Sequence, residues 1–470
     1  MASPGHGAFH PSSASCVIHQ NDESDIILLD IPRSIAAAQG RSDTLLSTAP
    51  LDKPIEPNED YRARTQKPQG TAPPQDTTNA LHVEYKATIE HALSHIHTHV
   101  SGPWCAPRKL LTQAPACGKD QMDIDDPEKD LESRLREWAT WDQSKGGDIA
   151  FDLQLMMASL GATPESGPTA THSVSQQKWQ MSYHTAQETP NGAHMTGSDL
   201  EDEMTEPWAP TFHNPGDVPL ELSVSNKSSA HVRASHQETN EYRFKIPARS
   251  TFFLSDSTHS DDFRTSFRQL TDEYNLPRHF DLVLLDPPWP NRSAKRKGAY
   301  EQVGGMPFLK KMLLKMDVDT YLEHNALVGI WITNKASLRK HVLGRGGLFE
   351  TWNVGLVEEW VWIKTTSKGE PMFDIDSGMR RPYEVLLLGR AAPNSWTRMA
   401  HKDIVRRRVI AAVPDVHSRK PCLKRLFESF GLLPQDYSAL EIFSRYLVQG
   451  WTAWGNEVIK FNWDWYWTPS

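Results

Sequence analysis

With 470 residues the chain has room for two domains, or for one domain with a long appendage. Its net charge of −9 is unevenly spread: residues 281–470 carry about +7, which leaves about −16 for residues 1–280, so the surface suited to nucleic acid is C-terminal. Four widely spaced cysteines (Cys16, Cys105, Cys117, Cys422) include no Cys-x-x-Cys pair, which argues against a disulfide framework and a zinc knuckle and suits a reducing compartment. No apolar run approaches a membrane span, and the first residues lack the layout of a signal peptide, so a soluble intracellular protein is expected.

Residues 1–80 are rich in Pro, Ser, Ala, Asp and Gln and are expected to be a largely disordered tail, since little in them offsets the entropy of ordering. The exception is Ile26-Ile27-Leu28-Leu29, which reads as a strand able to dock on the folded part. Residues 81–161 are expected to be helical. Ile89, Leu93, Ile96 and Val100 share a face; a second helix starts at Asp126-Pro127-Glu128, and a third runs from Asp148 to Gly161. The first helix carries His91, His95 and His99 four apart. Such spacing can bind zinc, but a polar helix face is the preferred reading and no metal is expected.

Residues 162–240 read as a linker or insertion, and 241–470 as the catalytic domain. Strands are predicted within 242–254, a helix over 262–274, and a strand at Phe280–Leu285 whose apolar run suits burial on both faces. Further helices are expected at 306–316, 320–324, 336–343 and 423–430, with strands at 327–333, 357–363, 385–388, 409–413 and 440–443. This alternation predicts an α/β fold, a mostly parallel, doubly wound, Rossmann-like sheet.

The Phe280–Leu285 strand runs into Asp286-Pro287-Pro288-Trp289. Prolines cannot continue a ladder, so the chain leaves the sheet there, at the carboxyl end where open α/β sheets bind ligands. Asp286 and the carbonyl of Pro287, free of other bonds, could accept both N–H groups of an exocyclic amine, with Trp289 as a wall for a planar base. A second candidate loop closes the chain: Glu441-Ile442-Phe443-Ser444-Arg445 leads into Gly450-Trp451-Thr452-Ala453-Trp454-Gly455-Asn456-Glu457. Its glycines admit a ligand close to backbone, and Arg445, Asn456 and Glu457 offer donors and acceptors for ribose and an adenine edge. Lys420, in His417-Ser418-Arg419-Lys420-Pro421, could pair with the carboxylate of an amino-acid cofactor.

Together these segments resemble the MT-A-seventy family of S-adenosylmethionine-dependent adenine-N6 methyltransferases, over about residues 250–465 and in that family's permuted order, with the catalytic turn ahead of the cofactor loop. The likeness implies a class I methyltransferase sheet, with Asp286, Pro287, Pro288 and Trp289 as catalytic residues. It implies Asp256, Asp286, Lys420, Arg445, Asn456 and Glu457 as ligands of S-adenosyl-L-methionine. Asn291, Arg292, Lys295, Arg296, Lys297, Tyr300 and Glu384 fall to the substrate. Pro290-Asn291-Arg292-Ser293-x-Lys295-Arg296 followed by Tyr300 looks like one branch of the family, for which the implied substrate is adenosine in RNA, internal 2′-O-methyladenosine of small nuclear RNA included. Tyr446-Leu447 stands where relatives place Asn or His, so no ribose contact is expected there.

The basic run at Arg292 and Lys295–Lys297 is read as phosphate-contacting; for Arg406-Arg407-Arg408 a phosphate contact and a solvated or import-signal role weigh equally. The aromatics from Phe461 to Trp467 are expected to seal a core or an interface. RNA is the expected partner, with DNA as alternative; no membrane and no obligatory heterodimer partner are expected, and the nucleus is the expected compartment, with the cytoplasm second. The reading from a different class is a non-catalytic RNA-binding subunit.

Overall fold

In the computed structural model, residues 15–55, 77–111, 179–185, 206–226, 241–290, 305–377, 381–392, 405–416 and 419–469 are described. The strands are β1 (Val17–Gln20), β2 (Ile26–Leu29), β3 (Thr44–Leu45), β4 (Trp179–Thr185), β5 (Glu206–Pro207), β6 (Thr211–His213), β7 (Leu220–Asn226), β8 (Glu241–Ile246), β9 (Thr251–Leu254), β10 (Phe280–Leu285), β11 (Leu322–Thr333), β12 (Val354–Lys364), β13 (Tyr383–Ala391), β14 (Arg406–Ala412), β15 (Ala439–Ile442), β16 (Thr452–Gly455) and β17 (Trp467–Thr468). The helices are α1 (Ile31–Gln39), α2 (Thr77–His99), α3 (Ser260–Tyr274), α4 (Gly305–Lys315), α5 (Ala336–Leu343), α6 (Leu348–Thr351) and α7 (Lys424–Ser429).

One large sheet runs β1-β2-β14-β12-β13-β11-β10-β15-β16-β9-β6. Strands β2, β14, β12, β11, β10, β15, β16 and β9 point the same way, and β13 runs against its neighbours β11 and β12. This is the Rossmann-like, mostly parallel sheet that the alternation predicted. The central strands are apolar throughout because helices or loops cover both faces: Leu282, Val283 and Leu285 of β10 are buried, as are Leu440 and Ile442 of β15. The last two strands of this sheet in chain order, β15 and β16, return to the middle and separate β9 from β10. That return sets the cofactor-type loop beside the Asp286 turn.

The N-terminal expectation needs correcting. Residues 15–55 are not a disordered tail: β2 pairs in parallel with β14, and Ile27, Leu28 and Leu29 are fully buried. The docking strand at Ile26–Leu29 is as expected. Behind it, Asp30 caps α1 by accepting from the Arg33 N–H at 2.9 Å, Pro32 sits in the first turn, and Gly40 ends the helix at φ +65°. Helix α2 presents Ile89, Leu93 and Ile96 to β2, β12 and β14, matching the predicted stripe. The two other helices expected before residue 161 lie outside the described residues. In the stretch read as linker or insertion, β4, β5 and β7 join β8 in a second, four-stranded sheet ordered β5-β4-β7-β8.

The Arg406–Arg408 cluster belongs to β14, and two of its three side chains are engaged in ion pairs. Arg407 pairs with Glu359 (2.9 Å) and Glu84 (2.8 Å), and the buried Arg408 pairs with Glu358 (2.8 Å). Glu359 is fully buried and also takes Arg339 at 2.5 Å, so the arginines bind α2 and β14 to β12. Near the end of the chain, Phe461, Tyr466 and Trp467 are buried, and Trp467 pairs with Leu45. That segment seals a core, as expected. The segment 320–324, read as a helix, is a 3-10 turn at Val318–Tyr321 followed by the start of β11.

Candidate active site

The carboxyl ends of the co-directional strands share one edge. Leu285 pairs with Ile442, Ile442 with Trp454, and Gly455 with Leu254. Asp286, the Phe443–Arg445 turn, Asn456–Glu457 and Asp256 therefore follow one another along it. On the other side of β10, Thr333 pairs with Glu384 at the start of β13, and Trp362 of β12 pairs with that same Glu384. The antiparallel course of β13 is what brings Glu384 to this edge.

Two lysines converge on Glu384 and Asp286. Lys420 Nζ lies 2.5 Å from Glu384 Oε2 and 3.4 Å from Asp286 Oδ1, and Lys364 Nζ lies 2.5 Å from Glu384 Oε1. Burial works to raise the pKa of Glu384, but the two lysines outweigh it and hold the carboxyl well below the usual range. Burial likewise works to lower that of Lys420, and Asp286 and Glu384 reverse the direction. Two indoles wall the lysines: Lys420 Nζ is 5.1 Å from the Trp331 ring centre, and Lys364 Nζ is 4.7 Å from that of Trp362. Lys364, Trp331 and Trp362 were not singled out from the sequence, because only strand register brings them here.

The Asp286–Trp289 turn is braced. Asp286 donates its N–H to Ile442 O at 3.3 Å, the last rung of the β10–β15 pair. The Pro287 carbonyl, expected to be free, accepts the Trp289 N–H at 2.7 Å, because the chain folds back over two residues. Trp289 is not an open wall: it is 8% exposed and donates its indole N–H to Trp331 O at 2.6 Å. A buried indole N–H needs an acceptor, and the β11 carbonyl is the one within reach.

On the opposite side of the turn, Arg445 Nε pairs with Glu457 Oε2 at 2.9 Å, and Lys460 Nζ with Glu457 Oε1 at 3.1 Å. Burial works to raise the pKa of Glu457, but Lys460 and Arg445 lower it to about 2. Asp256 closes the turn after β9 by accepting from the Thr258 N–H at 2.8 Å. Phe443 has φ +66°, a left-handed conformation rare for an aromatic residue, and its N–H donates to Trp454 O at 2.8 Å. Gly455 approaches this bend so closely that an added Cβ would stand 3.3 Å from Phe443 Cα. A strained turn is thus held between the cofactor-type residues. Against this geometry, residues 280–457 match the sequence profile of one family, described as MT-A70.

These residues are an MT-A70 domain.

The chain is 43% identical over 192 residues (41% of this chain, 55% of the relative) to a protein of Cryphonectria parasitica named N6-methyladenosine RNA methyltransferase MTA1. It is 31% identical over 226 residues (47% and 44%) to human N(6)-adenine-specific methyltransferase METTL4. With a Caenorhabditis elegans protein named DNA N6-methyl methyltransferase it shares 30% over 217 residues (46% and 53%). The chain spans about half the length of these curated relatives.

Within the MT-A70 domain, Asp286, Lys420 and Glu384 form one group and Arg445 and Glu457 another; Asn456 follows on the same edge. Asn291, Arg292, Lys295, Arg296, Lys297 and Tyr300 lie outside the described residues, as do His417 and Ser418. Tyr446 and Leu447 are buried, and Leu447 N–H donates to Asn462 Oδ1 at 2.8 Å, so both serve packing.

Glu441, quoted in the strand-end motif but given no role, is a residue that sequence reasoning missed. Burial first, with a smaller contribution from Asp286 and against the Ser444 hydroxyl, pushes its carboxyl up to about 7. The Ser444 hydroxyl has one proton and lies 2.5 Å from Tyr446 O, which leaves the 3.2 Å contact with Glu441 Oε2 suited to a protonated Glu441 as donor. The sign of the linkage follows. Glu441's contribution to stability is in place below its ordinary value of 4.5 and is lost as pH rises through about 7. Glu441→Gln, permanently neutral, should therefore flatten the pH dependence of Tm across that window and raise Tm above wild type at about pH 8. Parallel Tm–pH profiles for the two proteins would return Glu441 to an ordinary carboxylate.

Proposed function

We propose that this chain is an S-adenosylmethionine-dependent adenine-N6 methyltransferase acting on RNA, with internal 2′-O-methyladenosine of small nuclear RNA as substrate, in the nucleus and without an obligatory protein partner. The observation that carries the reading is the convergence, on one carboxyl edge, of the Asp286 turn, the Lys420–Glu384–Lys364 cluster and the Arg445–Glu457 pair. The name of the Cryphonectria parasitica relative supports RNA.

The donor set fits the cofactor. It needs acceptors for hydroxyls and an amino group, donors for an adenine edge and a cation for its carboxylate; Asp256, Glu457, Asn456, Arg445 and Lys420 supply these types. When bound, S-adenosylmethionine supplies an electrophilic methyl on a sulfonium. The protein's part is to hold the target amine. Asp286 accepts one N–H of it, and the Pro287 carbonyl, with one lone pair left after the Trp289 N–H, accepts the other. Both bonds strengthen as the nitrogen becomes pyramidal and positive, so they favour the transition state over the ground state. Trp289, pinned to Trp331, fixes the turn and offers the base only a narrow edge.

The test is methyl transfer from labelled cofactor to matched RNA and DNA oligonucleotides, with and without 2′-O-methyladenosine, using the chain alone. Label on RNA, increased by the 2′-O-methyl group, supports the full reading. Label on DNA alone makes it a DNA adenine methyltransferase, and RNA binding with no transfer to any oligonucleotide makes it a non-catalytic subunit.

A further inference from the structure

Away from the catalytic edge, three histidines from two elements meet. His95 and His99 lie one turn apart on α2, with ring centres 4.2 Å apart and planes 22° from parallel. The third, His19, comes from β1, its ring centre 5.4 Å from that of His95 and 5.3 Å from that of His99. One nitrogen of each ring lies within 4.8 Å of one from each of the others. The helical pair was visible in the sequence; His19, 76 positions before His95, was not.

Two features distinguish this group from a polar helix face. His19 Nε2 and His95 Nδ1 are buried and have no hydrogen-bond partner, an arrangement costly for imidazoles unless another ligand takes their lone pairs. The third ring is oriented as metal-binding histidines usually are: His99 Nδ1 bonds the His95 carbonyl at 2.8 Å, so it carries the proton and Nε2 keeps its lone pair. We propose that His19, His95 and His99 form a site for a divalent transition-metal ion, zinc foremost, that clips β1 to the C-terminal end of α2.

Three neutral imidazoles suit zinc and leave a fourth position for water. A filled tetrahedral site needs nitrogens about 3.4 Å apart, as follows from Zn–N bonds of about 2.0–2.1 Å. The rings therefore close by roughly an ångström, which the exposed His99 can supply by a small shift that keeps its Nδ1 bond to the His95 carbonyl. The clip has a structural reach. Helix α2 covers β2, β12 and β14, and at its other end His82 Nδ1 contacts the hydroxyl of Tyr383, the residue before Glu384, at 3.0 Å.

The test uses the untagged full chain, stripped with chelator, titrated with zinc chloride by calorimetry at about pH 7.5 and with cobalt(II) by absorption. The expected result is one equivalent of zinc per chain, tetrahedral cobalt bands, and a Tm raised by zinc. His19→Gln and His99→Gln should each weaken zinc binding about tenfold or more, while His91→Gln, exposed one turn earlier on α2, leaves it unchanged. His99 is on the surface, so its substitution keeps the test valid if His19→Gln does not fold. Three results overturn the site: no stoichiometric zinc binding, binding that His99→Gln leaves intact, or binding weakened as much by His91→Gln as by His19→Gln or His99→Gln, which would place it on the helix face alone.

Discussion

Asp286→Asn should lower kcat about 10²–10³-fold with KM for the nucleic acid nearly unchanged, the size of loss that follows removal of one preorganised electrostatic contact. The substitution keeps shape and a carbonyl acceptor. Lys420 decides which way the new amide points, because its ammonium lies 3.4 Å from Asp286 Oδ1 and attracts the amide carbonyl. The NH2 then faces the target amine, and a donor opposes a donor where positive charge develops. The fault is confined to the transition state, since the base is still held by the rest of the pocket. Steady-state kinetics with a folded variant check this. A matching rise in KM would mean that Asp286 binds the base in the ground state; an unchanged kcat would remove it from the chemistry.

How much of this was legible depended on how far apart the cooperating residues lie. The Phe280–Leu285 run announced a buried strand because both faces are apolar, and the two prolines fixed where it ends. Glu384 was carried to the site by resemblance, but its tie to Lys364 and Lys420 spans 20 and 36 positions and depends on β13 running against β12. No local pattern encodes that register. The arginines of β14 misled for the same reason: a basic triplet looks like a patch until Glu84, Glu358 and Glu359 arrive from other elements. Helix α1 is a different case. Asp30, Pro32 and Gly40 are an N-cap, a first-turn proline and a left-handed stop, all readable. The polar composition around them outweighed that signal.

Lys420→Met is the variant that separates the two duties the site gives this lysine. Its ammonium has three N–H groups; Glu384 and Asp286 take two, and the third is the one available to a cofactor carboxylate. Losing a charge-assisted bond costs about 1.5–3 kcal/mol, so cofactor affinity should fall about 10–100-fold by calorimetry. Glu384→Gln leaves Lys420 in place and should change that affinity far less. The internal duty appears in the pH dependence of stability. Burial raises the pKa of Glu384, but Lys364 and Lys420 depress it, so Glu384's contribution is present above its ordinary carboxylate value and is lost only as pH falls through a value well below the usual range. With Lys364 alone opposing burial, that contribution is smaller at neutral pH and less of it remains to be lost to acid. Tm for Lys420→Met should therefore lie below wild type near pH 7 and converge on it as pH drops below about 4. Intact cofactor affinity together with this convergence would make Lys420 a brace for the two carboxylates. Weakened affinity with a wild-type Tm–pH profile would make it a cofactor ligand alone.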